Sequence, residues 1–342
     1  MQRGSLDPSR VAGTLAGVAI GDAMGMPSEF MTREEIRDVY GRIEGFCVPH
    51  EGHIHAGMAG GCITDDTEQT IAIIEALERH DRITPEVAAA AYLRWAQQCN
   101  AYESSVLGPS SRRALERLKA GEEPRVTGSS GNTVGAAMRV APIGIVNSPN
   151  LESAAEECYM SCLPTHGVNI AIAGASAICC GVAAALVAES LDEVIDATVF
   201  GARHGERLGI EWAGTLVSAR IELALRIVRE SRDAVEAEDQ LYTTCGVGMD
   251  PTELVPTAIG LFALHEGDPQ RTVPAAANMG GDTDTLASMA GALSGAYRGI
   301  GAFPEEWVRT VEEVNNLNFE ELTVILVAVR ERRRVNNGWN RC

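Results

Sequence analysis

Two short clusters of carboxylates and hydroxyls stand far apart in the chain, Thr64-Asp65-Asp66-Thr67 and Gly280-Gly281-Asp282-Thr283-Asp284-Thr285. Each directly precedes an apolar stretch with helical spacing, so each presents its oxygens from a helix N-terminus or the turn leading into it. Asp and Thr at such positions are also what capping and the helix dipole favour, and for either cluster alone a cap is the better reading. Four aspartates exceed what two caps need, however, and gathering them in a core is costly unless metal ions or protons offset the charge. As a pair, the clusters point to a site for hard cations, built from oxygen ligands without Cys or His.

Other segments gain meaning beside these two. Residues 13 to 29 form a small-residue helix with Gly13, Gly17 and Gly21 on one face, running into a Gly-Pro turn that ends in Glu29. Alone, this is a close-packing surface with a solvated acid. The stretch Gly128 to Gly135 holds Gly131, Asn132, Thr133 and Gly135, small residues whose backbone N–H groups could line a phosphate, with Met138 and Arg139 opening a helix behind them. An ordinary flexible loop is the commoner meaning of such a stretch. His166, after Thr165, is evenly balanced between a structural and a substrate-touching role, and the histidines at 50, 53 and 55 lie in a Gly-rich segment read as a surface or lid loop.

The elements that must position these groups are helical nearly throughout. Ala-rich windows recur at 170–188, 213–229, 255–264 and 286–297, and aromatics make up only 5% of the chain, so strands are not expected. Gly and Pro punctuate the helices without forming a linker, which predicts one compact all-α domain over 1–342, with its core at about 10–330. With 342 residues and 45% hydrophobic content, the chain can bury a large core. A net charge of −19 argues against nucleic acid as a partner. No stretch suggests a membrane span or signal peptide, and the nine cysteines read as reduced core residues, so a cytoplasmic location is expected. Arg330 to Arg334 would complement the C-terminus of a last helix.

Three motifs in this order, G-D-A-x-G-x-P-x-E at 21–29, T-D-D-T at 64–67 and G-G-D-T-D-T at 280–285, resemble the ADP-ribosylglycohydrolase family over roughly residues 10 to 330. The resemblance implies an orthogonal multi-helix fold enclosing two Mg²⁺ or Mn²⁺ ions. It implies hydrolysis of the glycosidic bond at the anomeric carbon of ADP-ribose, carried on a protein or a small molecule. By matching positions, Thr64, Asp65, Asp66, Asp282, Asp284 and Thr285 would be metal ligands, and Glu29 would sit on a mobile loop over the metals, either as a ligand or as an acid–base residue. Glu29 and Asp66 are the acid–base candidates. Gly131, Asn132, Thr133, Gly135, Met138 and His166 would bind substrate. Two departures stand out: Val134 occupies a position usually held by Asn, and Val106 one where arginine-directed relatives often carry Asp. The alternatives are hydrolysis of a small, nucleoside-like ribosyl N-glycoside, and a non-catalytic ADP-ribose-binding or immunity protein.

Overall fold

A computed structural model describes residues 6–102 and 107–336. They are all-α, as the composition and spacing predict, and the one β-type contact among them is an isolated parallel bridge between Val168 and Ile210. Helix starts follow the sequence closely. Thr84, Asn150, Ser190, Asp250 and Asp268 each accept a hydrogen bond from a first-turn N–H, supplying partners that the helix itself lacks. No helix among the described residues is long and apolar enough to cross a membrane.

The pairing that organises the site joins the Pro8–Gly25 helix to the Thr283–Arg298 helix, the most extensively packed helix pair in the fold. They run antiparallel in almost direct backbone contact. Gly13 faces Gly295, Gly17 faces Gly291, Gly21 faces Ala287 and Gly25 faces Thr283, and a Cβ added at any of these glycines would strike the opposing backbone. The predicted glycine face is therefore a seam, where the absence of side chains lets two helices approach. Its consequence is positional: Asp22 and Glu29, at one end of the first helix, come to lie beside Asp282 and Asp284.

The Asn169–Ala185 helix is buried along nearly its whole length and packs on the Leu191–Gly205 helix. Cys158, Cys162, Cys179 and Cys180 are free thiols within this core. The arginines near the end of the Phe319–Asn336 helix, with Arg333 and Arg334 in its last turn as expected, also make tertiary bonds. They staple that helix to its neighbours: Arg332 bonds Asp81 at 2.7 Å, and Arg333 forms a two-pronged, buried pair with Glu157 at 2.7 Å for each bond.

The seam makes a sharp prediction about stability. In an exposed helix, replacing Gly by Ala gains roughly 0.5–1 kcal/mol, whereas Gly17→Ala forces backbone apart and is expected to cost at least about 2 kcal/mol. Denaturant melts of the variant and the parent chain check the sign, and a neutral or stabilising result would contradict the seam.

Candidate active site

Thr64 begins the Asp65–His80 helix but does not cap it with its own hydroxyl. That hydroxyl donates to Asp22 at 2.8 Å and lies 3.3 Å from Asp284. Asp22 performs the cap from another helix, accepting from the Thr64 and Thr67 N–H groups at 3.0 and 3.1 Å and from the Thr67 hydroxyl at 2.5 Å. The Asp282 side chain likewise makes no capping bond of good geometry to the helix it precedes. Thr64 and Asp282 thus give their own helices no well-formed side-chain cap, and the acidic side chains gather at one cleft.

The cleft, of about 190 Å³, is lined by Glu29, Asp65, Asp66, Asp282, Asp284 and Thr285 together with Thr133, Gly135 and Met138. Few partners neutralise the acids. Asp65 accepts from the Gln69 amide at 2.8 Å, and one oxygen of Asp66 lies 3.3 Å from the Thr285 hydroxyl. Oδ1 of Asp66 and Oδ1 of Asp284 are buried with no hydrogen-bond partner. Buried acceptors left unpaired in this way are rare and costly, and two aspartate oxygens orphaned in one cleft suit a cation.

The electrostatics follow from crowding in a low-dielectric site. Burial holds Asp65, Asp66 and Asp284 well above the usual carboxylate range, with neighbouring carboxylates adding to the rise. Burial and the Asp284 charge raise Asp22 to about 7, against the pull of Thr67 and Thr64. Asp282 is raised to about 6 by burial, moderated by hydrogen bonds from Asp284 and Thr285. Glu29 is also held well above its ordinary value, by burial and then by Asp284, Asp282, Asp65 and Asp22.

Behind the acids sits Arg139, fully buried on the Val134–Arg139 turn of 3₁₀ helix. It stacks over the Tyr92 ring at 3.9 Å, donates to Gln69 and bonds the Thr165 hydroxyl at 2.6 Å. Because Gln69 in turn donates to Asp65, the cation reaches the cluster through an amide.

The remaining substrate-loop residues separate. Gly131 and Asn132 lie outside the cleft lining, and a Cβ on Gly131 would strike the Thr165 carbonyl. His166 stands behind Thr133. It is fully buried, with Nδ1 at 2.8 Å from the Thr165 hydroxyl and Nε2 at 3.0 Å from the Thr133 hydroxyl, so it supports Thr133 from behind. Burial, Arg139 and Arg113 push its pKa well below the ordinary value, leaving it neutral. Val134 is buried and gives its N–H to the Met249 carbonyl, while Val106 lies outside the described residues. The segment holding His50, His53 and His55, read as a surface or lid loop, does carry exposed residues such as Glu51 and Gly57, while its His53 and His55 turn inward. Nε2 of His55 is 2.5 Å from Glu29 Oε2, and ligand atoms of Glu29, His55 and Asp284 lie within 4.8 Å of one another.

A family model described as ADP-ribosylglycohydrolase matches residues 4–336. The Escherichia coli (strain K12) protein YegU is 35% identical over 95% of this chain and 98% of its own length. ADP-ribosylhydrolase ARH3 of Bos taurus is 29% identical over 93% of this chain and 91% of its own. A solved structure titled ADP-ribosylglycohydrolase-related protein complex has the same fold, with a TM-score of 0.69, 24% identity and coverage of 94% of this chain and 98% of that one.

The raised carboxyls fix the sign of a pH dependence. Asp282 and Asp22, at about 6 and about 7, bind protons in the folded chain that an unfolded carboxylate has released above about pH 4. Their contribution to stability is therefore complete below that pH and is lost as pH rises through 6 and 7. In excess chelator, the melting temperature should fall between pH 5 and pH 8; a rise across that interval in calorimetry would contradict the assignment.

Proposed function

Since the chain belongs to the ADP-ribosylglycohydrolase family, as the match over residues 4–336 shows, we propose that its cleft is a divalent-cation-dependent hydrolase site for the bond at the anomeric carbon of ADP-ribose. The observation that carries this reading is the convergence of five acids from three separate segments on one cleft, with oxygens of Asp66 and Asp284 unpaired. The reading treats residues 10–330 as one domain, because the site draws on both ends of the chain.

Thr64, Asp65, Asp66, Asp282, Asp284 and Thr285 would hold two Mg²⁺ or Mn²⁺ ions. Such ions supply positive charge that offsets the acids, orients ribose hydroxyls and polarises water. In the proposed reaction the bond from the anomeric carbon to the leaving nitrogen or oxygen breaks, a water oxygen bonds to that carbon, and the proton shed by water replaces the one given to the leaving group. Glu29 is suited to the acid role, since burial and the surrounding carboxylates hold its carboxyl well above its ordinary range and it stands on the cleft wall. Asp66, with a free oxygen facing the same space, is suited to receive the proton of water.

The acidic floor would repel a pyrophosphate, so the phosphates belong toward Thr133 and Gly135. His166 fixes the Thr133 hydroxyl there, and Met138 adds an apolar wall. A second reading, hydrolysis of a small ribosyl N-glycoside, is favoured by one feature: Val134, Leu107, Pro109 and Met249 make the neighbouring rim apolar.

The test is ADP-ribose release from an ADP-ribosylated arginine protein and ribose release from a panel of free ribosides, with EDTA and with Mg²⁺ or Mn²⁺ restored. Release that stops with EDTA and returns with metal is expected. Cleavage of ribosides alone would replace this reading with the second, and no turnover despite bound metal would indicate a binding or immunity protein. Asp65→Ala and Asp282→Ala should each lower turnover by at least about 100-fold with helical circular dichroism retained. Undiminished activity in either would remove it from the ligand set.

A further inference from the structure

Glu29 is gripped from two sides. Toward the C-terminal acidic cluster, the Phe30 N–H donates to the Gly281 carbonyl at 2.6 Å, and the Gly281 N–H donates to the Met31 carbonyl at 2.9 Å. Phe30 sits in the left-handed backbone region, with φ of 60°, while its ring is half exposed at the cleft. A bulky residue held in that region marks a place where surrounding contacts override local preference, and such places cluster at functional sites.

On the other side stands the segment from residue 50 to residue 58, which forms a series of turns with no helix of its own. It is tied to residues 27–29 at three points. The Tyr40 hydroxyl donates to the Pro27 carbonyl at 3.1 Å and accepts from the His50 N–H at 3.0 Å. Nε2 of His53 lies 2.8 Å from the Glu29 carbonyl, and Nε2 of His55 lies 2.5 Å from Glu29 Oε2. The His53 tautomer follows from its contacts: Nδ1 accepts from the His55 N–H at 3.2 Å, so Nε2 carries the proton and donates to the Glu29 carbonyl. Both rings are buried. One histidine thus fixes the backbone of Glu29 and the other its carboxyl.

We infer that His53 and His55 are positioning residues for Glu29, forming a clasp that holds its carboxyl in the cleft opposite Asp284. The inference rests on the proposed acid role of Glu29 and adds the device that aims it. A freely rotating glutamate next to a strained Phe30 would sample many orientations, and small misplacements of an acid–base group are expensive in rate. The clasp removes that freedom without occupying the cleft.

The test compares the full-length parent, His55→Ala and His55→Gln, since the Gln amide reaches nearly where the imidazole Nε2 lies. Amide hydrogen exchange of residues 28–33 should quicken about tenfold in His55→Ala while the 13–25 and 285–295 helices keep their protection. For ADP-ribose release, kcat should fall about 100-fold in His55→Ala with KM within about twofold, and Gln should recover most of both losses. Unchanged exchange at 28–33, a kcat within about twofold of the parent, or a loss that Gln does not recover would each overturn the clasp. If His55→Ala does not fold, His53→Ala carries the same comparison through the Glu29 carbonyl. Should the parent release nothing from any substrate, the proposed function fails, and the exchange comparison still decides the clasp.

Discussion

Everything in the cleft depends on two helices meeting at backbone distance. The Pro8–Gly25 and Thr283–Arg298 helices pack glycine to glycine, with Gly17 on Gly291 and Gly13 on Gly295, and no side chain separates them. Only that closeness lets Asp22 act across a gap of 42 residues on Thr64 while standing close enough to Asp284 to feel its charge. A larger residue anywhere on the seam would move one acidic cluster away from the other.

Proximity brings an electrostatic cost, and the surrounding residues show how the fold bears it. Hydroxyls and amides do much of the work: Thr64, Thr67 and Thr285 turn toward carboxylates, and Gln69 relays the charge of Arg139 to Asp65. Arg139 itself is kept in the core by the Tyr92 face and by Thr165, so the cation is near the acids without filling the space between them. What is left unpaired is concentrated on Asp66 and Asp284, each of which keeps a buried Oδ1 without a hydrogen-bond partner.

Much of this was legible in the chain itself. The helical class, the close-packing face at Gly13, Gly17 and Gly21, and the linked meaning of the two acidic clusters all follow from residue types and spacing. The family resemblance also named Glu29, Thr133, Gly135 and Met138 among the candidates, and all four line the cleft. Tertiary facts were not legible. Asp22 lay within a quoted motif, yet nothing local says that it caps a helix elsewhere. His166 looked equally suited to substrate or structure, and nothing in the sequence announces its two threonine partners. His53 and His55 were placed in a surface or lid loop, and their inward turn depends on a glutamate 24 and 26 residues away.

The seam has a further consequence for how the molecule comes into being. Its two halves lie near opposite ends of the chain, so synthesis delivers Asp22, Asp65 and Asp66 long before Asp282 and Asp284. Contacts of such sequence separation are slow to form and cannot guide the early stages of collapse. The nascent chain is therefore spared the mutual repulsion of its acids until the Thr283–Arg298 helix emerges and docks. The cleft is completed by a late event of assembly, and a chain that stops short of that helix lacks the whole C-terminal half of the site.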